Sequence, residues 1–302
     1  MKPTKYIWKN GQFIEWENAT THVLSHALHY GTAVFEGVRA YSTSNGPAIF
    51  RGKDHFDRLL DSAKIYLMDC PYSADALLAA TRELISKNEL SSCYIRPLMY
   101  YGYKEMGIDP KNNPVETIIA AWEWGTYLGE DGIKNGVRCK ISSWNRIDSR
   151  SMPPLAKASG NYINSVLAKQ EALSCGYDEA ILLNINGTIA EGPGENIFLV
   201  KDEILYTPPI SDNVLKGITH NTVLHLAHQM KLEVRFESLI RDQLFLADEL
   251  FFTGTAAEVT PIREIDNRKI GNGSRGPITE TIQTAFFEMV KGNNPNASHW
   301  LD

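Results

Sequence analysis

Lysine chemistry is the first possibility the sequence raises, and it centres on Lys157. Residues 152–162 read Met-Pro-Pro-Leu-Ala-Lys-Ala-Ser-Gly-Asn-Tyr. Pro153 and Pro154 lack amide donors and fix φ, so no regular element runs through them. Ala156, Ala158, Ser159 and Gly160 leave open space around one long side chain. Ile163, Val166, Leu167 and Ala168 then take up helical spacing, which Gly176 stops. A lysine buried on such a segment can act as a nucleophilic amine. The alternative is a solvated loop lysine, and these residues alone favour it.

Groups that could receive an anion lie elsewhere. Arg58 sits opposite the apolar face (Phe56, Leu59, Leu60, Ala63) of a helix that Asp54 could cap, so it reads as a solvated charge or as an anion clamp. Tyr94, Arg96 and Leu98 share one face of a strand expected over 93–101. A phenol and a guanidinium two residues apart there could take a carboxylate. Pro97 predicts an edge or a bulge for that strand. Gly217-Ile218-Thr219 precedes a helix at about 220–230. Thr219 is a plausible N-cap, and amides at that end favour a phosphate.

Other motifs lead nowhere. His22, His26 and His29 invite a metal, but they lack a carboxylate partner and a zinc-like spacing, so local hydrogen bonding is expected. His225 and His228 read as structural or solvated. Gly271-Asn-Gly-Ser-Arg-Gly276 matches G-x-G-x-x-G, yet no strand with an acidic residue follows its helix. It reads as a turn, which removes most of the case for a nicotinamide dehydrogenase.

These residues need a scaffold, and the chain can build one. Its 302 residues suffice for a full core and two domains. Hydrophobic residues make up 43% and charged residues 22%, as in ordinary globular proteins. A net charge of −6 without a basic block argues against nucleic acid. No apolar run approaches the ~20 residues of a membrane span, and residues 1–10 carry no signal-peptide core. Four scattered cysteines suggest reduced thiols and a cytoplasmic setting.

Asn10-Gly11 and Asn186-Gly187 predict hairpins. Helices are expected at about 74–87 and from Pro277, and strands at 116–124, 137–144, 232–236 and 249–253. The glycine-punctuated stretch 125–135 reads as an interdomain linker between residues 1–124 and residues 136–302.

Five stretches together resemble one family. They are Ser-His-Ala-Leu-His-Tyr-Gly-Thr-Ala-Val-Phe-Glu-Gly-Val-Arg at 25–39, Tyr94-Ile-Arg-Pro-Leu98, Ala156-Lys-Ala-Ser-Gly-Asn-Tyr162, Glu191-Gly-Pro-Gly-Glu-Asn196 and Gly254-Thr-Ala256. In this order they are similar to the branched-chain amino acid aminotransferases, within the fold-type IV enzymes that use pyridoxal phosphate. The match runs from about residue 6 to about residue 290.

The resemblance implies a mixed α/β fold, with a smaller N-terminal α/β sandwich and a larger C-terminal pseudo-barrel that carries the cofactor lysine. The cofactor would lie at the interface of the two. Lys157 would be the Schiff-base lysine and the general base. Glu191 would face the ring nitrogen; Glu195, an equal candidate by spacing, would be structural. Tyr162 would bond the ring hydroxyl and Arg58 the phosphate. Leu215, Ile218, Thr219 and Thr255 would complete the cofactor site.

For the substrate, Tyr30, Phe35, Trp124, Tyr127 and Tyr162 would line an apolar pocket, with Arg39 beside it. Tyr94 and the amides of Thr255 and Ala256 would take the α-carboxylate. Arg96, with the hydroxyls of Tyr30 and Tyr127, would take glutamate's side-chain carboxylate. Met106 and Ile108 would reach in from a second subunit, making a homodimer the smallest functional unit; the residues do not decide between dimer and hexamer.

The implied reaction exchanges the amino group of L-leucine, L-isoleucine or L-valine with 2-oxoglutarate. A D-amino acid aminotransferase or an aminodeoxychorismate lyase of the same fold is the rival; the Tyr94-Ile-Arg-Pro-Leu98 strand together with the 25–39 stretch speaks against the first and Arg96 against the second. A non-catalytic binding protein would not need Lys157 and Glu191 together.

Overall fold

The computed structural model describes residues 2–125 and 127–302; Met1 and Thr126, the latter in the expected linker, lie outside the described residues. Contacts divide the chain into two compact units. The first comprises Met1–Trp124, Ala156–Gly160 and Met289–Asp302; the second comprises Gly125–Leu155 and Asn161–Glu288.

In the first unit, β1 (Tyr6–Lys9) and β2 (Gln12–Glu15) form a hairpin with Trp8 opposite Phe13. Asn10 and Gly11 take φ values of 50° and 89°, the left-handed pair that a two-residue turn of this kind needs. Then come α1 (His26–Tyr30), β3 (Ala33–Phe35), β4 (Val38–Thr43), β5 (Gly46–Ile49), α2 (Gly52–Ile65), α3 (Ala74–Lys87), β6 (Cys93–Tyr101) and β7 (Val115–Trp122). The sheet runs β2-β1-β7-β6-β4-β5, and β3 also pairs with β6. Helices α2 and α3 pack together and bury Phe56, Leu59, Leu77 and Leu84 with Val34, Ile95 and Ile119 of the sheet.

Two local expectations fail here. Asp54 does not cap α2; Arg51 holds the N-cap position at φ 54° and binds Asp54 through Nε at 2.6 Å. Pro97 is in a central strand rather than at an edge. It lies between the residues of β6 that pair with β3 and those that pair with β4, where the neighbouring chain breaks at Glu36–Gly37. The missing amide falls at that gap, and the Pro97 carbonyl accepts from Glu36 N at 2.9 Å.

The second unit contains α4 (Gly129–Asn135), β8 (Val137–Ile141), α5 (Tyr162–Ser174), β9 (Glu179–Ile181), β10 (Asn196–Lys201), β11 (Ile204–Thr207), α6 (Ile218–Gln229), β12 (Val234–Phe236), α7 (Arg241–Leu246), β13 (Glu249–Gly254), β14 (Glu258–Ile265), β15 (Arg268–Lys269) and α8 (Pro277–Val290). Its eight strands run β12-β11-β10-β13-β14-β8-β9, with β15 on β14. Ile141, Ile181, Leu199, Phe252 and Ile262 form the core. Thr255–Ala257 make the tight turn that joins β13 to β14.

The division of the chain differs from the expected one. The 125–135 stretch is not a plain connector, because α4 packs on β14. Its carbonyl at Ile133 accepts from the Gln283 side chain at 2.9 Å. The segment carrying Lys157 groups with the first unit rather than with residues 136–302. Phe35 N donates to Lys157 O at 3.0 Å, Lys157 N donates to Ser62 Oγ at 3.1 Å, and Val34 bridges Ala158. The C-terminus also joins the first unit, where Ile49 and Asp302 exchange two backbone bonds of 2.9 Å.

Candidate active site

In the first unit, small residues make room for Lys157. Ala156 and Ala158 are buried around it, and Gly160 lies against Gly31. The side chain is half-buried, and its Nζ stands 5.1 Å from the centre of the Phe35 ring. On α2, Arg58 meets Glu36 through two bonds, Nε to Oε1 at 2.6 Å and Nη2 to Oε2 at 2.9 Å. Glu36 is wholly buried and also accepts from His55 Nδ1 at 2.7 Å.

Burial alone would raise the Glu36 carboxyl, but Arg58 and His55 outweigh it and hold Glu36 far below the usual carboxylate range. Burial pushes the His55 imidazole down against the pull of Glu36, so a neutral ring donates from Nδ1. The sequence reading found Arg58 but neither Glu36 nor His55. The available signal was spacing: His55 and Arg58 stand three residues apart on one helix face.

The strand face expected at Tyr94 and Arg96 is present in β6. Arg96 Nη2 donates to the Tyr94 hydroxyl at 3.3 Å, and its guanidinium lies 4.9 Å from the centre of the Phe35 ring. Arg96 Nε is buried and has no hydrogen-bond partner. A cation with an orphaned donor against an aromatic wall suits a carboxylate. Gly37 is needed here, because a Cβ would strike the Tyr94 hydroxyl. Trp124 stands edge-on to Tyr94 at 4.4 Å. Arg39 sits opposite Tyr94 in the register, with its guanidinium 5.4 Å from the Tyr41 ring centre. Tyr30 is exposed beside His26, and Met106 and Ile108 are 47% and 86% exposed.

The N-terminal histidines hydrogen-bond within the first unit, His26 in part to a residue distant in sequence. His26 reaches Thr32 Oγ1 at 2.8 Å and Gly107 O at 2.7 Å, and His29 reaches Val23 O at 2.9 Å.

In the second unit, Glu191 is clamped on both oxygens. Arg146 Nη2 meets Oε1 at 2.7 Å. Asn196 Nδ2 and the Leu215 amide donate to Oε2 at 3.1 and 3.0 Å. Leu215 thus serves Glu191 through its backbone. Asn196 can come this close because Gly217 has no Cβ for its amide to strike.

Gly217, not Thr219, is the N-cap of α6. The helix begins at Ile218, it has no side-chain cap and its first turn holds no acidic residue. That end suits an anion. Ile218 and Thr219 are buried in its first turn.

Tyr162 opens α5, after Asn161 Nδ2 has bonded Pro153 O at 3.0 Å. Tyr127 is exposed, with Lys169 Nζ 5.4 Å from its ring centre. Thr255 and Ala256 are half-buried in the turn after β13. Glu195 is buried with Glu179 as its acidic neighbour. Burial first, then Glu179, pushes its carboxyl up to about 8. Glu179 itself is paired with Lys169 at 2.7 Å. Arg146 and Asn196 were not found from the sequence; a buried arginine looks like any other in a loop.

Residues 33–265 match the family described as amino-transferase class IV. The chain belongs to the class IV aminotransferases. It is 48% identical over 302 residues to the branched-chain-amino-acid aminotransferase of Escherichia coli strain K12, covering all of this chain and 98% of that one. The Pseudomonas aeruginosa enzyme of the same name is 50% identical over 294 residues, covering 97% and 95%.

Among solved structures, the E. coli branched-chain amino acid aminotransferase superposes with a TM-score of 0.97 at 48% identity, covering 99% of both chains. The branched-chain amino acid aminotransferase from Thermobaculum terrenum, in its PLP-form, gives 0.94 at 37% identity, covering 100% of this chain and 99% of that one. The mixed α/β, two-sheet arrangement is therefore the fold-type IV one.

Class IV aminotransferases use pyridoxal phosphate. The residues of this chain fit that group. Lys157 supplies an amine among small neighbours. In the first unit Arg58 suits an anionic group; in the second, taken by itself, the start of α6 suits an anion and buried Glu191 suits a protonated nitrogen.

Proposed function

We propose that this chain reversibly exchanges the amino group of L-leucine, L-isoleucine or L-valine with 2-oxoglutarate, using pyridoxal phosphate. The observation that carries this reading is Arg96, whose unpartnered Nε lies against Phe35 and beside Tyr94. An apolar wall with one carboxylate receiver at its edge serves both a branched side chain and glutamate.

Bound, the cofactor supplies an electron-poor ring that takes up the electron pair left at the substrate Cα. Arg58 grips the phosphate, with the Ile218 and Thr219 amides and the Thr219 and Thr255 hydroxyls. Glu191 faces the ring nitrogen, held there by Leu215 and Asn196. Tyr162 donates to the ring hydroxyl oxygen. Lys157 Nζ takes the proton from the substrate Cα. Tyr94 and the Thr255 and Ala256 amides orient the α-carboxylate. Arg96 with the Tyr30 and Tyr127 hydroxyls takes the glutamate carboxylate. Phe35 and Trp124, with Arg39 at the margin, exclude water from an apolar side chain.

Exposed Met106 and Ile108 support a homodimer in which they complete the partner's pocket. Residues 1–124 and 136–302 serve as the two domains, amended by the segments that pack with the first. Four free thiols support a cytoplasmic setting. Among the described residues, no helix is long and apolar enough to cross a membrane.

The test is an amino-transfer assay with 2-oxoglutarate as acceptor. Glutamate formed from L-leucine and not from D-alanine supports the reading; the reverse preference would make the enzyme a D-amino acid aminotransferase.

A further inference from the structure

Glu191 has a partner that no role above explains. Arg146 lies on the segment between β8 and α5, and its backbone amide is fixed to Leu183 O at 2.8 Å. Its Nε donates to Asn213 O at 3.3 Å and its Nη2 meets Glu191 Oε1 at 2.7 Å. Arg146 and Glu191 side chains are only 8% and 6% exposed. A buried ion pair of this kind costs desolvation of both groups, so it is weak evidence for stability alone. Its position suggests another use.

We propose that Arg146 is a positioning residue that keeps Glu191 an anion, and so places the proton shared with the cofactor's ring nitrogen on the ring. This rests on the reading that Glu191 faces that nitrogen. A carboxylate and a pyridine share one proton between them. Where the proton sits depends on which is the stronger base in the site.

Glu191 is buried, and burial by itself disfavours a charged carboxylate. The Asn196 and Leu215 donors on Oε2 are neutral. Arg146 brings a positive charge within bonding distance of Glu191. With it, the carboxylate stays ionised and the ring keeps the proton that makes it an electron sink. Without it, the proton moves to Glu191 and the ring becomes a neutral pyridine.

The experiment uses holoenzyme carrying pyridoxal phosphate labelled with 15N in the ring, read by solid-state NMR, which separates pyridinium from pyridine nitrogen. Wild type, Glu191→Gln, Arg146→Met, Arg146→Gln and Arg146→Lys are compared. The expected result is a pyridinium shift in wild type and Arg146→Lys, and loss of that shift in the other three. Arg146→Gln retains amide donors and serves should Arg146→Met not fold. If the Arg146→Gln shift equals that of wild type while Glu191→Gln moves, the inference is overturned and the role of Glu191 stands. If Glu191→Gln itself keeps the pyridinium shift, the assignment of Glu191 falls and the inference with it. A merely structural Arg146 would change thermal stability and leave the nitrogen shift where it was.

Discussion

Glu36 holds Arg58 along one edge of its guanidinium, with Nε–Oε1 at 2.6 Å and Nη2–Oε2 at 2.9 Å. A fork fixed on one edge has a fixed plane, which aims Arg58 without a flexible search. Glu36→Gln keeps the shape and removes the charge. It is expected to weaken cofactor binding and to cost roughly 2–3 kcal/mol of stability at pH 7, measured by urea unfolding. An unchanged midpoint would show that the pair adds nothing.

The same carboxylate has a pH signature. Its folded pKa is depressed, so its contribution is complete above the unfolded value of about 4.3 and is lost as pH falls below it. The gap between wild type and Glu36→Gln should therefore be constant from pH 7 to about 5 and shrink toward pH 3. A gap that widens in acid would contradict the assignment.

His220, on α6, stacks on Phe198 at 4.7 Å and meets Thr207 Oγ1 at 2.9 Å. That hydroxyl already donates to Ile197 O, so the imidazole Nε2 is the donor. Burial pushes His220 down to about 4. The unfolded chain takes its proton near 6.5, so stability falls as pH drops from about 6.5 to 4, by up to ~3 kcal/mol. His220→Gln should flatten this part of the curve relative to wild type.

Glu195 works in the opposite direction. Burial and Glu179 push it up to about 8, so the folded state keeps a proton that the unfolded state releases above about 4.3. Stability from this group falls as pH rises through that window. Glu195→Gln releases no proton, so it should gain on wild type between pH 5 and 8.5 in thermal melts.

Arg96→Met separates the two substrates. The half-reaction with L-glutamate should slow about 10- to 100-fold, the worth of one charge-assisted bond. That with L-leucine should change far less. Rapid-mixing rates for both substrates check this, and equal losses would remove Arg96 from the side-chain pocket.

Local pattern gave the Asn10-Gly11 hairpin, the helix at 74–87 and the strand at 93–101, because each is set by nearby residues. It misplaced Pro97, whose missing amide is tolerated through a break in a neighbouring strand. It also could not place the Lys157 segment with the first unit, which depends on Ser62 and Phe35 far away in sequence. Glu36, His55 and Arg146 went unseen for one reason: a charged residue looks solvated until its partner is known. The roles of Lys157 and Glu191 came from resemblance, since their spacing alone left Glu195 equally eligible.

The most direct test is to find which lysine carries the cofactor. The holoenzyme would be reduced with borohydride, digested and mapped by mass spectrometry. A phosphopyridoxyl group on the peptide containing Lys157, absent from Lys157→Ala, is the expected result. The same group on another lysine, or no covalent group at all, would contradict the assignment on which the chemistry rests.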